Sequence, residues 1–181
     1  MLIDDTEIVK RLHDPKQSRE AFTEIIKTYS EPLYWQIRRM VMNHDDANDL
    51  LQNTFLKAWS NIENFRGDAK LSTWLYKIAI NESITFINKE KQKQNISIDD
   101  DDSFIVNSLE SDQWFDGDEL KLLLQKAIAT LPEKQRMIFN MKYFDEMKYE
   151  DMSEILGTTV GALKASYHHA VKKIELFFSQ N

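Results

Sequence analysis

An all-α protein of two small helical domains joined by an acidic, flexible linker is what this chain predicts, and three observations carry the prediction. Four glycines and three prolines in 181 residues leave few places to turn, which favours helix because these residues punctuate it. Apolar residues recur at three- and four-residue steps on both sides of the middle, the spacing that gives a helix one buried face. Residues 95–118 hold eight acidic and no basic side chains and lack sustained periodicity, so the periodic parts fall at 1–94 and 119–181.

In the first part, Ile8, Val9 and Leu12, then Ala21, Phe22, Ile25, Ile26 and Tyr29, then Leu33, Ile37, Met40 and Val41 predict the opening helices of a bundle. Leu50, Leu51, Phe55, Ala58, Trp59 and Ile62 give the next helix its apolar side and leave Asp49, Gln52, Asn53 and Lys57 on the other. Leu71, Trp74, Leu75, Ile78 and Ala79 do the same for the helix after it. Between the two lies Phe65-Arg66-Gly67-Asp68-Ala69-Lys70, an aromatic beside two cations. A base could stack there while its phosphates are neutralised. Phe65 is the better stacking candidate, although a loop aromatic can also cap a core, and Trp74, at the edge of its apolar arc, suits either role.

The acidic segment carries Asp99 to Asp102 in a row. It reads as a solvated tether that keeps two domains apart. A metal cage is a poor alternative, because consecutive residues of an extended chain point in alternating directions and no histidine accompanies them. A third reading lays these carboxylates in a partner's basic channel that otherwise accepts nucleic acid.

In the second part, Leu120, Leu123, Leu124, Ala127, Ile128 and Leu131 form a helix that stops at Pro132, and Glu133 suits the start of the next, which holds Met137, Ile138, Met141, Tyr143 and Phe144. Residues 148–174 carry a helix-turn-helix signal. Tyr149, Met152, Ile155 and Leu156 make a short apolar face, Gly157 stops that helix, and Thr159 can cap the following one. Leu163, Tyr167, Ala170 and Ile174 fall in a narrow arc, and the opposite side presents Gly161, Lys164, Ala165, His168, His169 and Lys172. No acid lies between Glu154 and Glu175, so this face suits insertion into a DNA major groove. The plainer reading is a helical hairpin whose polar face meets water. Adjacent histidines point in different directions on a helix, so His168 and His169 are not expected to share a metal.

The chain has no cysteine, which removes disulfides, thiol catalysis and the usual structural zinc sites. The acidic N-terminus is neither a signal peptide nor an anchor, and no run is long enough to span a bilayer, so a cytoplasmic protein is expected. The net charge of −7 lies in the middle segment, leaving the flanking parts free to gather positive charge on one face. Without a glycine-rich phosphate loop or a nucleophile-base pair, no catalysis and no cofactor are expected.

Asp46-Ala47-Asn48-Asp49-Leu50-Leu51-Gln52-Asn53-Thr54-Phe55-Leu56-Lys57-Ala58-Trp59 resembles the DAEDLVQETFLRAW segment of the extracytoplasmic-function group of sigma-70 RNA polymerase sigma factors. FRGDAKLSTWLYKIAIN is similar to that family's FRGxxxFxTWLYRIARN segment, and YEDMSEILGTTVGALKASYHHAVKKI to its region-four helix-turn-helix. The resemblance covers nearly the whole chain. It implies two domains, region 2 over 1–94 and region 4 over 119–181, with core RNA polymerase and promoter DNA as partners. An anti-sigma factor, free or membrane-bound, is implied as well, and no small-molecule substrate.

The resemblance implies that Asp46, Asp49, Leu50, Gln52, Asn53 and Leu56 dock on the polymerase. Phe65, Arg66, Gly67, Asp68, Lys70, Thr73, Lys77 and Asn81 would hold the melted minus-ten element, Asn81 beside a flipped base. Thr159, Val160, Gly161, Lys164, Ala165, Ser166, His168, His169 and Lys172 would read the minus-thirty-five element. Asn48 and Asn53 stand where acids are frequent, while Ala165-Ser166 and His169 replace common Ser-Arg and Arg positions. Those arginines would supply bidentate contacts to guanine or phosphate, so the sequence read and its salt dependence are expected to differ. Two rivals frame the reading: a stand-alone helix-turn-helix regulator that binds duplex DNA without polymerase, and a metal-dependent nucleic-acid enzyme using Asp99 to Asp102.

Overall fold

The computed structural model describes residues 4–94 and 118–181, all of them helix or connecting loop. The first part holds α1 (Asp5–Leu12), α2 (Ser18–Val41), α3 (His44–Ser60), a 3-10 turn (Ile62–Asn64) and α4 (Leu71–Lys93). The second holds α5 (Glu119–Ala129), α6 (Glu133–Tyr143), α7 (Tyr149–Leu156) and α8 (Val160–Gln180). The linker expected over 95–118, including Asp99 to Asp102, lies outside the described residues except for Asp118, whose side chain caps α5 by accepting the Lys121 N–H.

The caps explain where several helices begin. Asp4 accepts the N–H groups of Thr6 and Glu7 to start α1, and Asn43 accepts that of Asp46 to start α3, each removing an orphan donor of a first turn. The two apolar runs of residues 21–41 belong to one helix of 24 residues that passes through Pro32. A proline deletes one backbone donor there, and the fully buried Leu33 and Ile37 just beyond it hold the helix together.

Helices α1 to α4 surround one core, in which Ile8, Ile25, Leu33, Ile37, Leu71 and Leu75 are all but sealed from solvent. Phe22 packs against Phe55 at 6.3 Å and Trp59 at 5.0 Å between ring centroids. A second core lies among α5, α6 and α8, around Ile128, Leu131, Phe139 and Ile174. A third joins the two parts: Ile80 of α4 packs with Ile138, Met141, Met152, Ile155 and Leu163, which come from α6, α7 and α8. Arg39 pairs with Asp145, Lys91 with Glu133 at 2.8 Å and Lys70 with Asp151 at 3.3 Å across the same junction.

The two domains therefore pack on each other, which corrects the expectation of a tether holding them apart. Polar composition of a connector says nothing about the apolar faces at its ends, and Ile80, 1% exposed, gains its burial from both sides.

Candidate nucleic-acid interface

Helix α3 turns its polar side outward as a ridge. Asp49, Gln52, Asn53 and Leu56 are exposed and follow one another at helical steps, with Asp46 half-buried at the start. Leu56 is 64% exposed. A leucine left in water among polar residues suits a surface built to be covered. Burial, then the negative charges of Glu90, Asp49 and Asp45, raise the Asp46 carboxyl from its ordinary value. Leu50 departs from expectation: it is buried in the bundle core and offers nothing to a partner.

The loop from Phe65 to Lys70 divides by side chain. Arg66, Gly67, Asp68 and Lys70 are exposed, and farther along α4 so are Lys77 and Asn81. Phe65 and Thr73, each 4% exposed, are not available to DNA in this arrangement. Phe65 stacks on Trp74 with ring centroids 4.7 Å apart and planes 26° off parallel. The aromatic expected to hold a base closes the core beneath the loop, and Trp74, half-buried, is its partner. Thr73 faces inward with Leu71 and Leu75 because it lies on the buried side of the first turns of α4.

On α8, Gly161, Lys164, Ala165, His168, His169 and Lys172 are all exposed, while Val160 and Ser166 are half-buried at the edges of that face. Gly157 turns the chain with φ of 62°, and the Thr159 hydroxyl oxygen accepts the Ala162 N–H at 3.2 Å. The same hydroxyl keeps its proton free to donate. Lys164 lies over the Tyr149 ring, Nζ 5.7 Å from its centre, which ties the cation to the preceding helix. The rings of His168 and His169 stand 6.1 Å apart and tilted by 53°, and no group of three metal-ligating side chains gathers among the described residues.

The junction between domains touches the same region. Asn81 opens onto a cavity of about 470 Å³ that it shares with Glu133, Met137, Ile155 and Thr158, and Lys70 reaches Asp151 of α7. The sequence reading missed the Arg39–Asp145 and Lys91–Glu133 pairs. Arg39 also lies over the Phe144 ring at 4.9 Å. Burial outweighs attraction in the Arg39–Asp145 pair, lowering the arginine from its ordinary value and raising the Asp145 carboxyl to about 6. Partners 106 residues apart leave no mark that one sequence could reveal.

The family description "Sigma-70 region 2" matches residues 25–93 and "Sigma-70, region 4" matches residues 121–174. The ECF RNA polymerase sigma factor SigW of Bacillus subtilis is 32% identical over 170 residues, 89% of this chain and 91% of SigW. The RNA polymerase sigma-H factor of Pseudomonas aeruginosa is 26% identical over 179 residues, 94% of this chain and 92% of its own. In fold, the chain is like the sigma factor RpoE of Bartonella quintana, solved with the anti-sigma factor NepR. That likeness has a TM-score of 0.69 at 24% identity and covers 87% of this chain and 96% of RpoE. CnrH, solved with the cytosolic domain of CnrY, gives a TM-score of 0.69 at 16% identity, covering 98% and 96%. With both regions present in order, and SigW alike over most of the length, this chain belongs to the extracytoplasmic-function sigma factors of the sigma-70 family.

Proposed function

We propose that this chain binds core RNA polymerase in the cytoplasm and directs it to promoters, without catalysing a reaction itself. The observation that carries the reading is the pairing, on one chain, of an exposed docking ridge on α3 with a carboxylate-free recognition face on α8. Asp46, Asp49, Gln52, Asn53 and Leu56 would meet the polymerase. Arg66, Asp68, Lys70, Lys77 and Asn81 would hold the melted minus-ten strand, cations on phosphates and the asparagine amide on a base edge. Gly161, Lys164, Ala165, His168, His169 and Lys172 would enter the major groove at the minus-thirty-five element. Melting would draw on binding energy, since unstacking a base costs roughly a few kcal/mol that pre-placed partners recover.

An anti-sigma factor completes the reading, and RpoE, which shares the fold, was solved with the anti-sigma factor NepR. The test is in vitro transcription with purified core polymerase and a promoter library. The chain is expected to co-purify with core and to support initiation at specific promoters. Asp49→Ala with Leu56→Ala should weaken core binding at least tenfold while leaving the fold intact, because both side chains are exposed. Failure to bind core, or initiation without promoter preference, overturns the proposal.

A further inference from the structure

We propose that α1 is the support that presets the DNA-holding loop, with Asp5 and His13 as positioning residues; the inference rests on the reading that residues 66–70 hold melted DNA. Lys70, at the N-cap of α4, supplies no side-chain cap. The first-turn N–H of Leu71 is instead donated to Asp5 Oδ2 at 2.9 Å, across 66 residues. At the other end of the loop, His13 Nε2 donates to the Phe65 carbonyl oxygen at 2.9 Å. A carbonyl can only accept, so this contact requires the proton on Nε2. At the bend, Gly67 has φ of +80°, and a Cβ there would stand 3.3 Å from Val9 Cγ2.

Asp5, Val9 and His13 follow one another at steps of four and so form a single line along α1. That line meets the end, the bend and the start of the loop in turn. Ile8 and Leu12, 1% and 3% exposed, anchor the neighbouring side of α1 in the core. The backbone of the loop is thus gripped from beneath while Arg66, Asp68 and Lys70 stay exposed above it. A loop ordered beforehand does not lose that conformational freedom when it captures a strand. Neither Asp5 nor His13 needs to touch DNA to affect how tightly the loop holds it.

The test uses holoenzyme assembled from core polymerase and full-length chain, probed with the single non-template strand of a promoter on which the wild type initiates. Asp5→Ala and His13→Ala are each expected to weaken capture of that strand by about three- to tenfold, the worth of one hydrogen bond. Affinity for core should be unchanged. Asp5→Asn keeps an acceptor and His13→Gln a donor, so both should stay near wild type. Hydrogen exchange at residues 66–71 should quicken in the alanine variants and not in the conservative ones. Arg66→Ala with Lys70→Ala, which removes the exposed cations, should also lose capture. If that pair loses capture while both alanine variants on α1 keep it, or if Asn and Gln lose as much as Ala, the positioning role is overturned. If Arg66→Ala with Lys70→Ala changes nothing, the reading of the loop itself falls. Should Asp5→Ala lower the unfolding midpoint, His13→Ala, at an exposed site, carries the test.

Discussion

Gly67 and Gly157 share a left-handed backbone, with φ of +80° and +62°, and differ in what surrounds them. Nothing lies within 4 Å of a Cβ built on Gly157, whereas one on Gly67 meets Val9 Cγ2 at 3.3 Å. Gly157→Ala should therefore cost only the left-handed penalty, about 1–2 kcal/mol. Gly67→Ala should cost that and the displacement of Val9 as well. Urea unfolding of the two variants checks this; equal losses would mean that Val9 gives way freely. The same neighbourhood shows what one sequence conceals. Phe65 reads as an exposed aromatic because it follows a polar turn, yet Trp74 stacks on it and His13 holds its carbonyl. Leu50 sits in a resembled docking motif, but its own helical phase with Phe55 and Ala58 sends it inward. Periodicity was the better guide there than motif membership.

Helix α8 shows how much is legible when the signals are local. Its start, cap and buried arc depend on Gly157, Thr159, Leu163, Ala170 and Ile174, all within 18 residues, and each has the expected place. Helix α1 is the opposite case: its periodicity predicts a helix, while its contacts to residues 65–71 can be read only once the chain has folded. On α8, Lys164 and Lys172 are exposed, and no arginine accompanies them. A lysine neutralises a phosphate as a point charge without fixing a base pair's identity. Lys172→Ala should weaken duplex promoter binding by holoenzyme to a similar degree on all sequences. It should also reduce the slope of log affinity against log salt by about 1. A change confined to one promoter sequence, with the slope intact, would assign Lys172 to base reading instead.

Packing of region 2 on region 4 brings Lys70 to Asp151 and places Asn81 at the rim of a cavity shared with α6 and α7, so part of the proposed minus-ten face is engaged within the molecule. The proposed docking ridge of α3 and the proposed reading face of α8 stay exposed. Separating the domains to span two promoter elements must break the Ile80 cluster and bring Arg39 and Asp145 back to water. That buried pair adds little to the strength of the junction, because burial of the two charges outweighs their attraction. Asp145 has a pKa of about 6 in the packed form, against about 3.9 for a solvated aspartate. The packed form therefore binds the extra proton between those values. Its Asp145 contribution is fully present below about pH 4 and lost as pH rises through about 6.

Because the chain has no cysteine, dyes on Ser60→Cys and Ser179→Cys can report domain separation. The packed population should fall between about pH 4 and 6. Its difference from an Asp145→Asn background isolates Asp145 from the other carboxylates at the junction, Glu133 and Asp151. Asp145→Asn alone should hold the domains together more firmly than wild type at pH 7, since a neutral side chain avoids the burial cost that raises the Asp145 carboxyl. Arg39→Met with Asp145→Leu should also hold the domains together, by about 1–4 kcal/mol more than wild type, and remove this part of the pH response. A double variant that separates more readily than wild type would show that attraction across the pair, and not the apolar cluster around Ile80, holds the junction closed.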